Sequence, residues 1–160
     1  MIRIIQNYNI NDIVSSMKDF LNKSSYSPEV REMAVEITAG SQNPIYDIHK
    51  WVKTNLHYAQ DPVRDGQDIE MFTSPVGLVK DYREGKSIAE DCDSHAMLVT
   101  ALCQSIGIPA RVVLTSYDNG NYTHAYSQVW SEELNKWLDV DTTTDYPIGW
   151  VIPYSSIMII

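Results

Sequence analysis

Residues 90–113 read EDCDSHAMLVTALCQSIGIPARVV, and the fold follows from how that run starts and stops. Ala96, Val99, Leu102, Cys103 and Ile106 recur at helical spacing, which predicts a helix over about 92–106. Gly107 is a good left-handed terminator and Pro109 forbids continuation, so the Gly-Ile-Pro step is a helix stop. Beyond it the chain changes character. ARVVLTSY (110–117), YTHAYSQVW (122–130) and KWLDVDT (136–142) are β-branched and aromatic, and the DNG at 118–120 signals a hairpin between the first two.

Toward the amino terminus the punctuation is helical. Residues 2–6 suit a short strand, and a helix is expected from about Asn11 to Lys23 with Ile13, Met17, Phe20 and Leu21 on one face. Ser27-Pro28 and Asn43-Pro44 each pair a capping residue with a proline at the first helical position; Ser74-Pro75 opens a third helix the same way. Residues 59–73, AQDPVRDGQDIEMFT, show no periodicity and read as a long loop of the kind that often carries function. The apolar tail GWVIPYSSIMII (149–160) is expected to add a last strand to the sheet. Helices first and an antiparallel meander after them make an α+β chain, read as one domain over 1–160.

Composition narrows the function. A net charge of −9, with 12 scattered basic residues, argues against nucleic acid or an anionic membrane as the main partner. The leading MIRIIQNYNINDIV does not read as a signal peptide, and no stretch approaches the ~20 apolar residues of a membrane span. The chain has 2 cysteines, too few for a disulfide scaffold. On one helix Cys92 and Cys103 would stand roughly 16 Å apart, too far to bridge. A reducing, cytoplasmic setting is the expectation.

The chemistry centres on Cys92. At a helix start, unpaired amides and the helix dipole favour a thiolate. Asp91 and Asp93 act against this by like-charge repulsion, which a nearby imidazolium at His124 would offset; Asp91 is also placed to cap the helix. His124 lies on the second predicted strand and Asp141 near the end of the third. Setting them directly opposite pairs Val129 with Lys136, an ordinary hairpin register. The sequence thus permits a Cys92–His124–Asp141 triad, with nucleophile on a helix end and base and orienting carboxylate on adjacent strands.

Three blocks in order, DCDSHAMLVTALCQSIGIPARVV, HAYSQVW and KWLDVDTT, resemble the transglutaminase-like cysteine peptidase core, a papain-like fold. The resemblance is strongest over residues 72–147; TSPVGLVKDYREGKS and DTTTDYPIGW look closest to short phage-encoded members. It implies Cys92 as nucleophile, His124 as base and Asp141, four residues after Trp137, as orienting acid, with no metal or other cofactor. Two positions depart from the pattern: Glu90 stands where members commonly have Gly, and Gln104 where they often have Arg.

Other residues have plainer readings. Cys103, inside the apolar stripe, reads as a structural thiol. His95 reads as a helix-surface or packing residue, and His49 and His57 as amphipathic surface. Zinc would need Cys92, His95, Cys103 and His124 to converge, yet Cys103 is three turns from Cys92 and no second close ligand pair exists. The implied function is thiol-dependent acyl transfer on a peptide or protein substrate, with hydrolysis of a peptide or isopeptide bond ahead of amine transfer. The alternative is an inactive fold serving as a structural or binding module with a protein partner in a larger assembly, such as a phage particle; the setting would then be the virion.

Overall fold

The computed structural model describes residues 1–6, 9–64, 67–118 and 120–160. In chain order the elements are β1 (Ile2–Gln6), α1 (Ile10–Ser24), α2 (Pro28–Thr38), α3 (Pro44–Asn55), β2 (Leu56–Tyr58), β3 (Val63–Arg64), β4 (Gln67–Thr73), α4 (Pro75–Arg83), β5 (Ile88–Glu90), α5 (Cys92–Ser105), β6 (Ala110–Ser116), β7 (Tyr122–Ser131), β8 (Lys136–Val140) and β9 (Ser156–Ile159).

The helix starts form as their sequences dictate. The side chains of Ser27, Asn43 and Ser74 accept from the N–H groups of Val30, Tyr46 and Gly77, and the proline after each cap needs no partner. Asn9 caps α1 in a reciprocal box with Asp12. At the other end of α5, Gly107 takes φ 84°, a conformation that a Cβ would strain.

α5 is the axis of the molecule. Every residue from Asp93 to Cys103 is buried, because α1 to α4 pack on one side and β6 and β7 on the other. The one-sided stripe expected from sequence is therefore a helix buried all round, with Met97, Leu98 and Leu102 inaccessible to solvent. Burying each such side chain contributes about 1.5–3 kcal/mol. Polar pins fix its rotation against the sheet: Ser127 Oγ donates to the Ala96 carbonyl at 2.8 Å and lies 3.0 Å from Thr100 Oγ1.

The main sheet has the order β8-β7-β6-β9, antiparallel throughout, with the tail strand on β6 as expected. Asn119, the middle of the DNG hairpin signal, lies outside the described residues; the strands flanking it do pair. The β7–β8 register differs from expectation. Lys136 pairs with Ser131, not Val129. The slip is two residues, so every side chain keeps its face.

Residues 59–73 are a correction. Val63–Arg64 and Gln67–Thr73 are strands, and β4 pairs antiparallel with β1 at the far end of the chain, Ile2 with Thr73. Residues 65 and 66 lie outside the described residues. The partner that makes β4 a strand is nearly seventy residues away, so no local period announces it. A second unforeseen pairing, β2 with β5, is parallel and joins Tyr58 to Glu90 just ahead of Cys92. Among the described residues, no helix is long and apolar enough to cross a membrane.

Candidate active site

Cys92 is the first residue of α5, half-buried and unpaired with Cys103, which is fully buried. It lines a cleft of about 430 Å³ together with His124 and Ala125 of β7, Tyr58 at the end of β2 and Gln60 beyond it. The Ala125 N–H donates to the thiol. That contact favours the thiolate, but burial and then the charge of Asp91 outweigh it, with Glu70 and Asp141 adding, and the thiol is pushed up to about 12. The helix start does not win here. Asp91 occupies the cap position, yet its side chain makes no capping hydrogen bond, so it contributes repulsion and not the expected cap.

The other arm is tightly ordered. His124 Nε2 meets Asp141 Oδ2 at 2.7 Å, with the Asp141 side chain 1% exposed. The Thr143 N–H and hydroxyl donate to Asp141 Oδ1 at 2.9 and 2.7 Å. Burial alone would raise the Asp141 carboxyl, but the His124 and Thr143 bonds prevail and hold it below its ordinary value. An ionised carboxylate only accepts, so Nε2–H of His124 is the donor. Direct opposition of His124 and Asp141 was expected. The two meet diagonally across the slipped register instead, which works because the faces are conserved. Tyr126 lies alongside the His124 ring at 6.4 Å between centroids.

The remaining histidines are part of the scaffold. His95 is 2% exposed, its Nδ1 2.8 Å from Thr142 Oγ1 and its Nε2 3.4 Å from the His57 carbonyl, so it packs between β2 and the Asp141 segment. Burial lowers its pKa. His49, read from sequence as surface, is half-buried instead and bonds the Asp141 backbone from α3, because the 141–143 segment folds over that helix. His57 is exposed.

Both departures from the family pattern have structural partners. Glu90 does not line the cleft; its carboxylate accepts from Thr73 Oγ1 at 2.6 Å and from Ser94 Oγ at 3.2 Å. Gln104 donates to the Ala110 carbonyl at 2.8 Å and accepts from Ser25, tying the ends of α1 and α5 to β6.

Sequence reading missed the acidic wall. Asp61, Glu70 and Asp91 bring carboxylate oxygens within 4.8 Å of one another, and Asp93 completes that side of the cleft. Burial pushes Asp61 up to about 7 against the pull of the Met71 N–H, with Asp91 and Glu70 adding to the rise. Asp93 is raised well above its ordinary value, by burial first and then by the facing carboxyls of Asp91 and Glu70. Only the tertiary approach of β4 brings Glu70 here, and reading 59–73 as a loop gives Asp61 no partner.

The comparisons agree with this architecture. The model of the transglutaminase-like superfamily matches residues 31–142. Among solved structures, a candidate cysteine protease from Cytophaga hutchinsonii superposes with a TM-score of 0.56 at 17% identity, over 99% of this chain and 61% of that one. A candidate protease from Parabacteroides distasonis gives 0.53 at 12% identity, covering 80% of this chain and 28% of that chain. The periplasmic domain of TgpA from Pseudomonas aeruginosa, bound to ethylmercury, gives 0.50 at 19%, covering 79% and 49%. The chain thus spans less than two thirds of each of these proteins, and at such identities the likeness speaks to fold. No curated protein matches it. With the family model covering most of its length and the same α+β core in its structural neighbours, this chain belongs to the transglutaminase-like superfamily.

Proposed function

We propose that the protein is a thiol-dependent acyl-transfer enzyme acting on peptide or isopeptide amides, with Cys92 as nucleophile, His124 as base and Asp141 as the group that orients the ring. The observation that carries this reading is one cleft lined by Cys92 and His124, with Nε2 of His124 held at 2.7 Å by a buried carboxylate. Burial and the charge of Asp91 push the thiol up to about 12, which favours the protonated form at pH 7. A resting thiolate–imidazolium pair is therefore not the working state. Nδ1 of His124 takes the thiol proton as sulfur attacks the carbonyl, then delivers it to the leaving amine, as in a serine hydrolase. The Cys92 amide at the helix start is a natural donor to the developing oxyanion. Water then attacks the thioester, with His124 again as base, and releases the acid. Hydrolysis stands ahead of amine transfer because the cleft is open to water.

A mass-spectrometric digest of a mixed peptide library in ¹⁸O water, with hydroxylamine added in parallel, tests this. New carboxyl termini carrying one ¹⁸O, absent with Cys92→Ala, mark hydrolysis. Hydroxamates without ¹⁸O products mark transfer. The second reading is a non-catalytic module of the same fold that binds a protein partner in a larger assembly. The thiol's high pKa favours it, and no Cys92-dependent product of either kind would select it.

A further inference from the structure

The acidic wall beside Cys92 has a shape as well as a charge. Its carboxylates share the cleft with aliphatic side chains: Ile10 and Ile13 of α1, Pro62, and Ile69 of β4. Asp93 is 4% exposed, and no hydrogen-bond donor among the described residues reaches its Oδ2; the same holds for Asp91 Oδ1. The Asp93 carboxyl is aimed into the cluster, at Asp91 and Glu70. Leaving such a buried oxygen unsatisfied costs about 1–3 kcal/mol, more when charged. The arrangement is completed by a shared proton or by a bound cation.

A cleft lined by both aliphatic side chains and clustered carboxylates matches one kind of cation. A lysine or arginine side chain lays its methylene stem along apolar surface and carries its charge at the tip. A hydrated divalent ion has the charge but gains nothing from isoleucine and proline walls.

We propose that this part of the cleft is a specificity subsite for a basic side chain, lysine or arginine, of the peptide substrate, with Asp93, Asp91 and Asp61 receiving its charged head. The proposal rests on the cleft being the substrate site described above. It also gives the raised thiol a physical role. A bound ammonium or guanidinium offsets the negative field of Asp91 and Glu70 at Cys92, so a correct substrate eases the deprotonation that the empty site opposes. An acidic or neutral side chain brings no such help.

The test separates binding from catalysis. Cys92→Ala protein is titrated, with NMR shifts as readout, with acetyl-Ala-Lys-Ala-amide, its arginine analogue and its norleucine analogue, each with and without calcium chloride. The basic peptides should bind at least about tenfold tighter than norleucine, as expected for charge-assisted contacts. Shifts should centre on residues 61, 70 and 91–93. Asp93→Asn and, separately, Asp61→Asn should erase the preference, with thermal melts verifying that each variant folds. Equal affinity for norleucine, no binding up to millimolar peptide, or calcium binding that excludes the basic peptide would each overturn the subsite. Because this protein lacks the nucleophile, a catalytic failure leaves the result intact; activity is read separately from the ¹⁸O digest.

Discussion

The two sides of the cleft are built on opposite principles. On the β7–β8 side, Asp141 has a donor on each oxygen, Thr143 on one and His124 on the other. On the α5 side, Asp91 and Asp93 each keep a buried oxygen that no donor among the described residues reaches, and burial, then the charge of Asp91, pushes the intervening thiol up to about 12. The first side is satisfied at rest, so its geometry is held whether or not substrate is present. The second holds its carboxyls together only by keeping protons on them, and a bound cation can take the place of those protons. In the proposed mechanism base and nucleophile are thus prepared differently: the His124 ring is held by Asp141 at rest, and the Cys92 thiol waits for its surroundings to change.

Substitutions can break that contrast at graded depth. Cys92→Ala should abolish turnover, by about 10⁴-fold or more, while Cys103→Ala should retain it, since Cys103 lies sealed in the core. Asp141→Asn keeps the shape but lets His124 adopt the wrong tautomer; kcat/KM should fall by roughly 10²–10⁴. Thr143→Val removes one of two donors to Asp141 Oδ1, so kcat should drop by about tenfold with KM nearly unchanged, the pattern of a positioning residue. A matching loss in KM would place Thr143 against substrate instead.

The smallest effect is on stability. Asp61 is raised to about 7 in the folded protein, so folding favours its protonated form. That contribution is present below the ordinary carboxylate pKa, is lost as pH rises through 7, and is gone by pH 8. The melting temperature should therefore fall between pH 5 and 8, and Asp61→Asn should flatten the slope by roughly 2–5 °C. An unchanged slope would remove Asp61 from the acidic wall.

How far the amino-acid sequence foretells this site depends on the range of the forces involved. The proline-marked helix starts at Pro28, Pro44 and Pro75 and the stop at Gly107 are local, fixed within a turn of backbone, and so legible. The His124–Asp141 bond survived a wrong register because a two-residue slip preserves faces; a one-residue slip would have parted them. β4 and Glu70 were illegible because their position is set by pairing with β1. Thr143 did leave a signal. The hydroxyl run after Asp141 in DTTTD is suited to bonding an aspartate two residues back, and Thr143 does so through both its N–H and its hydroxyl. His49 left none, since only the packing of 141–143 on α3 gives its ring a partner.

The most direct trial of a positioned base serving a protonated thiol is acylation by p-nitrophenyl acetate at pH 7, read as intact mass with the modified residue mapped. The outcome expected is a single acetyl on Cys92, formed at least about a hundredfold more slowly in His124→Ala. Acetylation of Cys92 at the same rate without His124, or none at Cys92 in the intact protein, would contradict it.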